Sequence, residues 1–167
     1  MATIDPYTEQ QRTIPNMLSP VSSKLHDYAN KYITPLCTEL ERLDMVAKQT
    51  DETPIEFSAF KVAKPFGMNR LVLTEILSDL IVSAPKSIEV MTPGIWRVLT
   101  AWFFEYSNNN IYHCHMWKIF QSVFVNNNLD ALKSILTKNK FATNLVRAYD
   151  DPTKSCMFII YRYSLMF

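Results

Sequence analysis

The stretch Trp102-Phe-Phe-Glu-Tyr-Ser-Asn-Asn-Asn-Ile-Tyr-His113 limits what this chain can become more than any other part of it. An aromatic run ends in three consecutive asparagines, and a second apolar-periodic run starts directly afterwards. Asparagine tolerates the left-handed conformation that closes a helix, and its side chain caps the start of the next one. Ser107–Asn110 therefore reads as a tight corner between two packed helices. The rest of the chain reads as further helices laid beside that pair.

Helical spacing recurs on both sides of the corner. Val21, Leu25, Tyr28 and Tyr32 form one stripe, and Leu36, Leu40, Leu43 and Ala47 a second, with Thr34-Pro35 expected to interrupt and restart the helix between them. A Thr or Ser cap followed by proline marks a helix start, because proline's missing N–H is not needed there. The same device stands at Thr92-Pro93 and Asp151-Pro152. Leu71, Leu73, Ile76, Leu77, Leu80 and Ile81 make a face too broad for a simple amphipathic helix, as expected of one sandwiched between neighbours. Ile95, Trp96, Leu99, Trp102, Phe103 and Tyr106 lead into the corner. Ile111, Met116, Ile119, Phe120, Val123 and Phe124 leave it and stop at Asn126-Asn-Asn128. Leu129, Leu132, Ile135 and Leu136 predict a short helix; Phe141, Leu145, Val146 and Tyr149 predict another.

Residues 1–18 lack periodicity and contain Pro6 and Pro15, so an extended or mobile arm is expected there, followed by a single helical-repeat domain over 19–167. The one long connection, residues 49–68, spans about twenty positions, a length that tends to be functional in a compact domain. A short extended piece fits around Ile55–Phe60. In all, about seven or eight helices with short connections predict an all-α domain. Paired antiparallel helices with broad apolar faces suit an armadillo or HEAT-like stack, with a closed bundle as the alternative.

Composition narrows the function. With 48% hydrophobic residues among 167 the chain is globular, and 17 basic against 16 acidic residues leave +1. That balance argues against a nucleic-acid partner, since such proteins carry a basic excess. No apolar run approaches the ~20 residues needed to span a bilayer. Three cysteines without paired spacing and a polar, proline-interrupted start point to a reducing compartment, the cytoplasm first and the nucleus second. Only Gly67 and Gly94 occur, so no phosphate-cradling loop and no Gly-x-Ser-x-Gly elbow can be written, and no cofactor is implied.

No enzyme constellation emerges from the remaining candidates. His113-Cys114-His115 places ligands at i and i+2, which point to different sides of a helix, whereas helical zinc sites use i, i+3 or i, i+4. A Cys–His dyad of neighbours would diverge by about 100°. Asp44 with Glu41, and Asp150 with Asp151, lie at polar helix ends and read as solvated faces or caps. Trp96, Trp102 and Trp117 lack interleaved Lys or Arg and read as core, not as a base-stacking platform. Arg70 follows the Pro65-Phe66-Gly67 turn at the head of an apolar helix. It reads equally as a clamp on loop carbonyls or as a partner contact.

Pro65-Phe66-Gly67-x-x-Arg70-Leu71, and about thirty residues later Phe103-Phe104-x-Tyr106-x-x-Asn109-Asn110-Ile111-x-His113, together resemble the SAPS-domain family. These are the regulatory subunits of protein phosphatase 6, including the yeast phosphatase-associated proteins. The family shows a Pro-Leu-Gly-x-x-Arg-Leu turn and a Phe-Phe-x-Tyr-Pro-Trp-Asn-Asn-Phe-Leu-His corner at similar separation, and the resemblance covers roughly Pro54 to Asp150. Ser107 and Asn108 stand where the family has proline and tryptophan, so the corner keeps its asparagine pair and loses an aromatic plug. The resemblance implies a non-catalytic, armadillo-like scaffold that holds a type 2A-group serine/threonine phosphatase catalytic subunit. In that reading Pro65 and Gly67 shape the turn, Phe103, Phe104 and Tyr106 fill the core, and Asn109 and Asn110 make the corner. Arg70 and His113 are the candidate partner contacts. Family members are longer, so a short or truncated member is expected, with self-association through the apolar residues 153–167 as the alternative.

Overall fold

A computed structural model describes the backbone of residues 6–50, 54–56, 61–62 and 64–150, and the side chains of 24–50, 54–56 and 64–150. The fold is all-α. The helices are α1 (Pro6–Gln49), α2 (Met68–Ser83), α3 (Pro93–Glu105), α4 (Asn110–Val125), α5 (Leu129–Lys133) and α6 (Phe141–Asp150). A 3-10 segment, Pro85–Val90, joins α2 to α3, and a π-helical turn, Ser134–Lys138, prolongs α5. In the long connection, β1 (Ile55–Glu56) pairs antiparallel with β2 (Lys61–Val62), Ile55 opposite Val62.

The core is built where the apolar stripes meet. Ile33, Cys37 and Leu40 of α1, Leu77 and Ile81 of α2, Ile95, Leu99 and Trp102 of α3, and Tyr112, Met116 and Ile119 of α4 are all buried in one cluster. Burying each such side chain contributes on the order of 1.5–3 kcal/mol. As its broad face predicts, α2 packs between two neighbours, α1 and α4. Its remaining side carries the exposed Met68, Val72 and Ile76.

Three expectations are corrected. Residues 6–18, expected as an extended or mobile arm, belong to α1; Pro6 stands at its first position, where a missing N–H costs nothing. Thr34-Pro35 does not break α1. The buried stripe is Ala29, Ile33, Cys37, Leu40 and Asp44, it runs past the proline on both sides, and Pro35 itself faces solvent. Packing on either side of one lost hydrogen bond outweighs that loss. The stripe drawn through Leu25, Tyr28 and Tyr32 is accordingly rotated: those side chains are exposed, with the two tyrosine rings stacked at 6.4 Å. Finally, the asparagine corner closes without a left-handed residue. The Asn109 N–H turns back onto the Tyr106 carbonyl at 2.9 Å, and positive φ falls instead on Asn127 of the second asparagine run (50°) and on Lys140 (53°). The helix start at Asp151-Pro152 and the segment 153–167 lie outside the described residues.

Candidate functional site

The two motifs, some thirty residues apart in sequence, meet in space around Arg70. Gly67 (φ 79°) takes the left-handed turn that a side chain would strain, and α2 starts at the next residue. That turn brings Arg70 back under the loop. Its Nη2 donates to the Pro65 carbonyl at 3.0 Å, and its Nη1 donates to the Tyr106 hydroxyl at 2.7 Å. The guanidinium lies 5.1, 5.7 and 5.2 Å from the rings of Phe66, Trp102 and Tyr106. An aromatic cage of this kind stabilises a desolvated cation by up to about 2 kcal/mol. Phe66 in turn packs edge-on against Tyr106 at 4.9 Å and Trp102 at 5.2 Å. Lys64 and Glu105 form an ion pair over the outside of the same joint. Leu71 packs partly buried against the core.

The corner is the second half of the site. Asn109 caps α4, its Oδ1 accepting from the Tyr112 N–H at 3.0 Å, as asparagine chemistry predicts. Asn110 opens α4 and is exposed. His113 reaches back to α3, where its Nε2 donates to the Phe103 carbonyl at 3.0 Å and its ring stacks on Phe103 at 4.5 Å. Phe103 and Phe104 then pass the contact to Phe141 at the start of α6, 5.1 and 5.3 Å away. Burial lowers the His113 pKa, with the Phe103 carbonyl partly opposing it, and Nδ1 has no hydrogen-bond partner among the described residues. Burial likewise raises the Tyr106 hydroxyl, and the adjacent Arg70 pulls it partly back. Both groups stay neutral at neutral pH.

Arg70 and His113 are therefore buried members of the joint; Arg70 also lines a cleft of about 340 Å³ between the end of α1 and the start of α2. His113, Cys114 and His115 diverge: Cys114 is exposed, and His115 Nδ1 lies 3.2 Å from Ser78 Oγ on α2. A buried carboxylate was missed. Asp44, expected at a solvated helix end, is buried and accepts from Trp102 Nε1 at 2.9 Å and from Lys48 at 2.7 Å. Its spacing from Cys37 and Leu40 puts it on the core stripe, which is the signal that could have found it. Glu41 is also misplaced by that expectation. The Thr92 hydroxyl donates to it, leaving Thr92 without a cap bond of its own, and the carboxylate lies so close over the head of α3 that a Cβ on Gly94 would stand 2.8 Å from Oε1.

No family model matches the chain, and the curated proteins and solved structures yield no match either.

Proposed function

We propose that this chain is a non-catalytic helical scaffold. In this reading it holds a type 2A-group serine/threonine phosphatase catalytic subunit in the cytoplasm or nucleus, in the manner of the SAPS-domain proteins it resembles, with its helices paired as in armadillo-like stacks. The observation that carries the reading is the interlock of the two motifs. Arg70 and Phe66 of the first grip Tyr106 of the second, while Asn109 and His113 fix the corner that follows. Residues that the resemblance picks out as a signature are thus one mechanical joint between α2, α3 and α4. That supports a role in holding a surface in shape. On the exposed side of this joint, the cleft beside Arg70 is where a partner would come nearest to the signature.

The test is purification of the tagged chain from cells that express such a catalytic subunit. Recovery of the subunit is expected, and so is its loss with a charge-introducing substitution at the exposed rim of the cleft, Asn69→Glu. Recovery of the folded chain with no phosphatase subunit would overturn the proposal.

A further inference from the structure

A second cleft lies apart from that joint. It has a volume of about 690 Å³ and lies between the 3-10 segment, the head of α3 and the second asparagine run. That size falls in the range of roughly 300–1,000 Å³ typical of binding pockets. Trp96 lines it and is only 4% exposed, yet its indole N–H has no acceptor among the described residues. Ser134 lines it too, 7% exposed, and its hydroxyl has no partner there either. The Ser134 carbonyl, by contrast, is taken twice by Asn139, from the main-chain N–H at 3.0 Å and from Nδ2 at 2.8 Å. The main-chain bond spans five residues and creates the π-helical turn, a feature that recurs at functional sites. Asn128 spends its Oδ1 on the Ala131 N–H at 3.0 Å, which leaves its amide NH₂ as a further donor. Two exposed carboxylates, Glu89 and Asp130, stand on the rim against one amine, Lys138, and none of the three is in an ion pair among the described residues.

A ligand that fills the cleft shuts water out from these donors, which costs free energy unless the ligand accepts from them instead. The ligand must therefore bring carbonyl-type acceptors to the floor and positive charge to the rim. A polyamine has the charge without the acceptors; a nucleic acid has the wrong sign. An extended peptide with a basic side chain has both. We propose that this cleft binds an extended, lysine- or arginine-bearing peptide segment of a partner protein. Its backbone carbonyls accept from Trp96, Ser134 and Asn128, and its cationic side chain lies between Glu89 and Asp130.

The full chain, labelled with ¹⁵N, reports binding through the indole N–H signal of Trp96, assigned with a Trp96→Phe variant. The probe is a blocked hexapeptide with two central lysines among alanines; the same peptide with glutamates, and spermidine, are the comparisons. A saturable shift of the Trp96 signal is expected with the lysine peptide alone. Because Glu89 and Asp130 are exposed, the E89Q/D130N variant keeps the parent spectrum. It should weaken the lysine peptide by roughly fivefold, the loss of two modest surface ion pairs. No saturable shift, an equal response to the glutamate peptide or to spermidine, or undiminished binding by the variant would each overturn the proposal.

Discussion

Arg70 shows how much one side chain can hold. It replaces water with a tyrosine hydroxyl, a loop carbonyl and three aromatic faces. Tyr106→Phe keeps the ring and deletes the acceptor, leaving a guanidinium N–H buried without it. A loss of about 1–3 kcal/mol in urea-unfolding free energy is expected. Arg70→Lys cannot span Tyr106 and Pro65 together, and the double variant should lose clearly less than the sum of the two, since both remove one interaction. Additive losses would mean that the pair does not couple. His113 gives a pH dependence. Its folded pKa is below the ordinary 6.5 because of burial, so below that pH the unfolded chain takes up a proton that the native chain refuses. Stability therefore holds at neutral pH and declines as the pH falls through about 6.5, until the folded pKa is reached. His113→Gln removes the titrating group, and its unfolding free energy should fall less steeply than the parent's between about pH 7 and pH 5.

At the scale of elements, the head of α3 is where two effects compete. Glycine at a helical position costs about 0.5–1 kcal/mol relative to alanine, yet Gly94 leaves the room that the Glu41 carboxylate occupies beside Thr92. A carboxylate at a helix N-terminus contributes a similar amount through the helix dipole. Gly94→Ala should thus be close to neutral in the parent, because the gain in propensity is offset by pushing a flexible carboxylate aside. In a Glu41→Ala background the same substitution should stabilise by about 0.5–1 kcal/mol. Equal effects in both backgrounds would show that Glu41 does not hold that site. The same junction explains what was legible in the sequence. Proline at the first position announced α3, and asparagine announced the corner, because both act through their own backbone. The Thr92 cap, the continuity of α1 through Pro35 and the burial of Asp44 were misread because each is decided by a residue more than fifty positions away, or by packing on the opposite face. Of the candidate site, the residue types and the order of the motifs were visible; their grip on one another through Arg70 and Tyr106 was not. Neither was the second cleft, whose lining comes from two stretches some thirty residues apart that only the fold brings together.

For the whole molecule, the open question is whether α1 belongs to the same cooperative unit as the corner. Among the described residues α1 buries one stripe, and it is tied to the centre by Trp102 on Asp44 and Thr92 on Glu41. Its Cys37 supplies the probe. Burial pushes that thiol up to about 11, against a smaller opposing pull from the Thr92 backbone, whereas Cys114 is exposed on α4. The thiolate is the reactive form, so iodoacetamide should modify Cys114 in the native protein and reach Cys37 only through opening. If α1 unfolds with the rest, the free energy of opening at Cys37 should fall with urea along the same slope as global unfolding, because the same surface is exposed. Peptide mapping after timed labelling gives both rates from one sample. A shallow slope at Cys37 would instead show α1 peeling away alone, and the two hydrogen bonds to its carboxylates would then be too weak to hold it. The matching slope is the expected result, since peeling α1 away alone would expose Ile33 and Leu40 together with the core they cover, at about 1.5–3 kcal/mol for each such side chain.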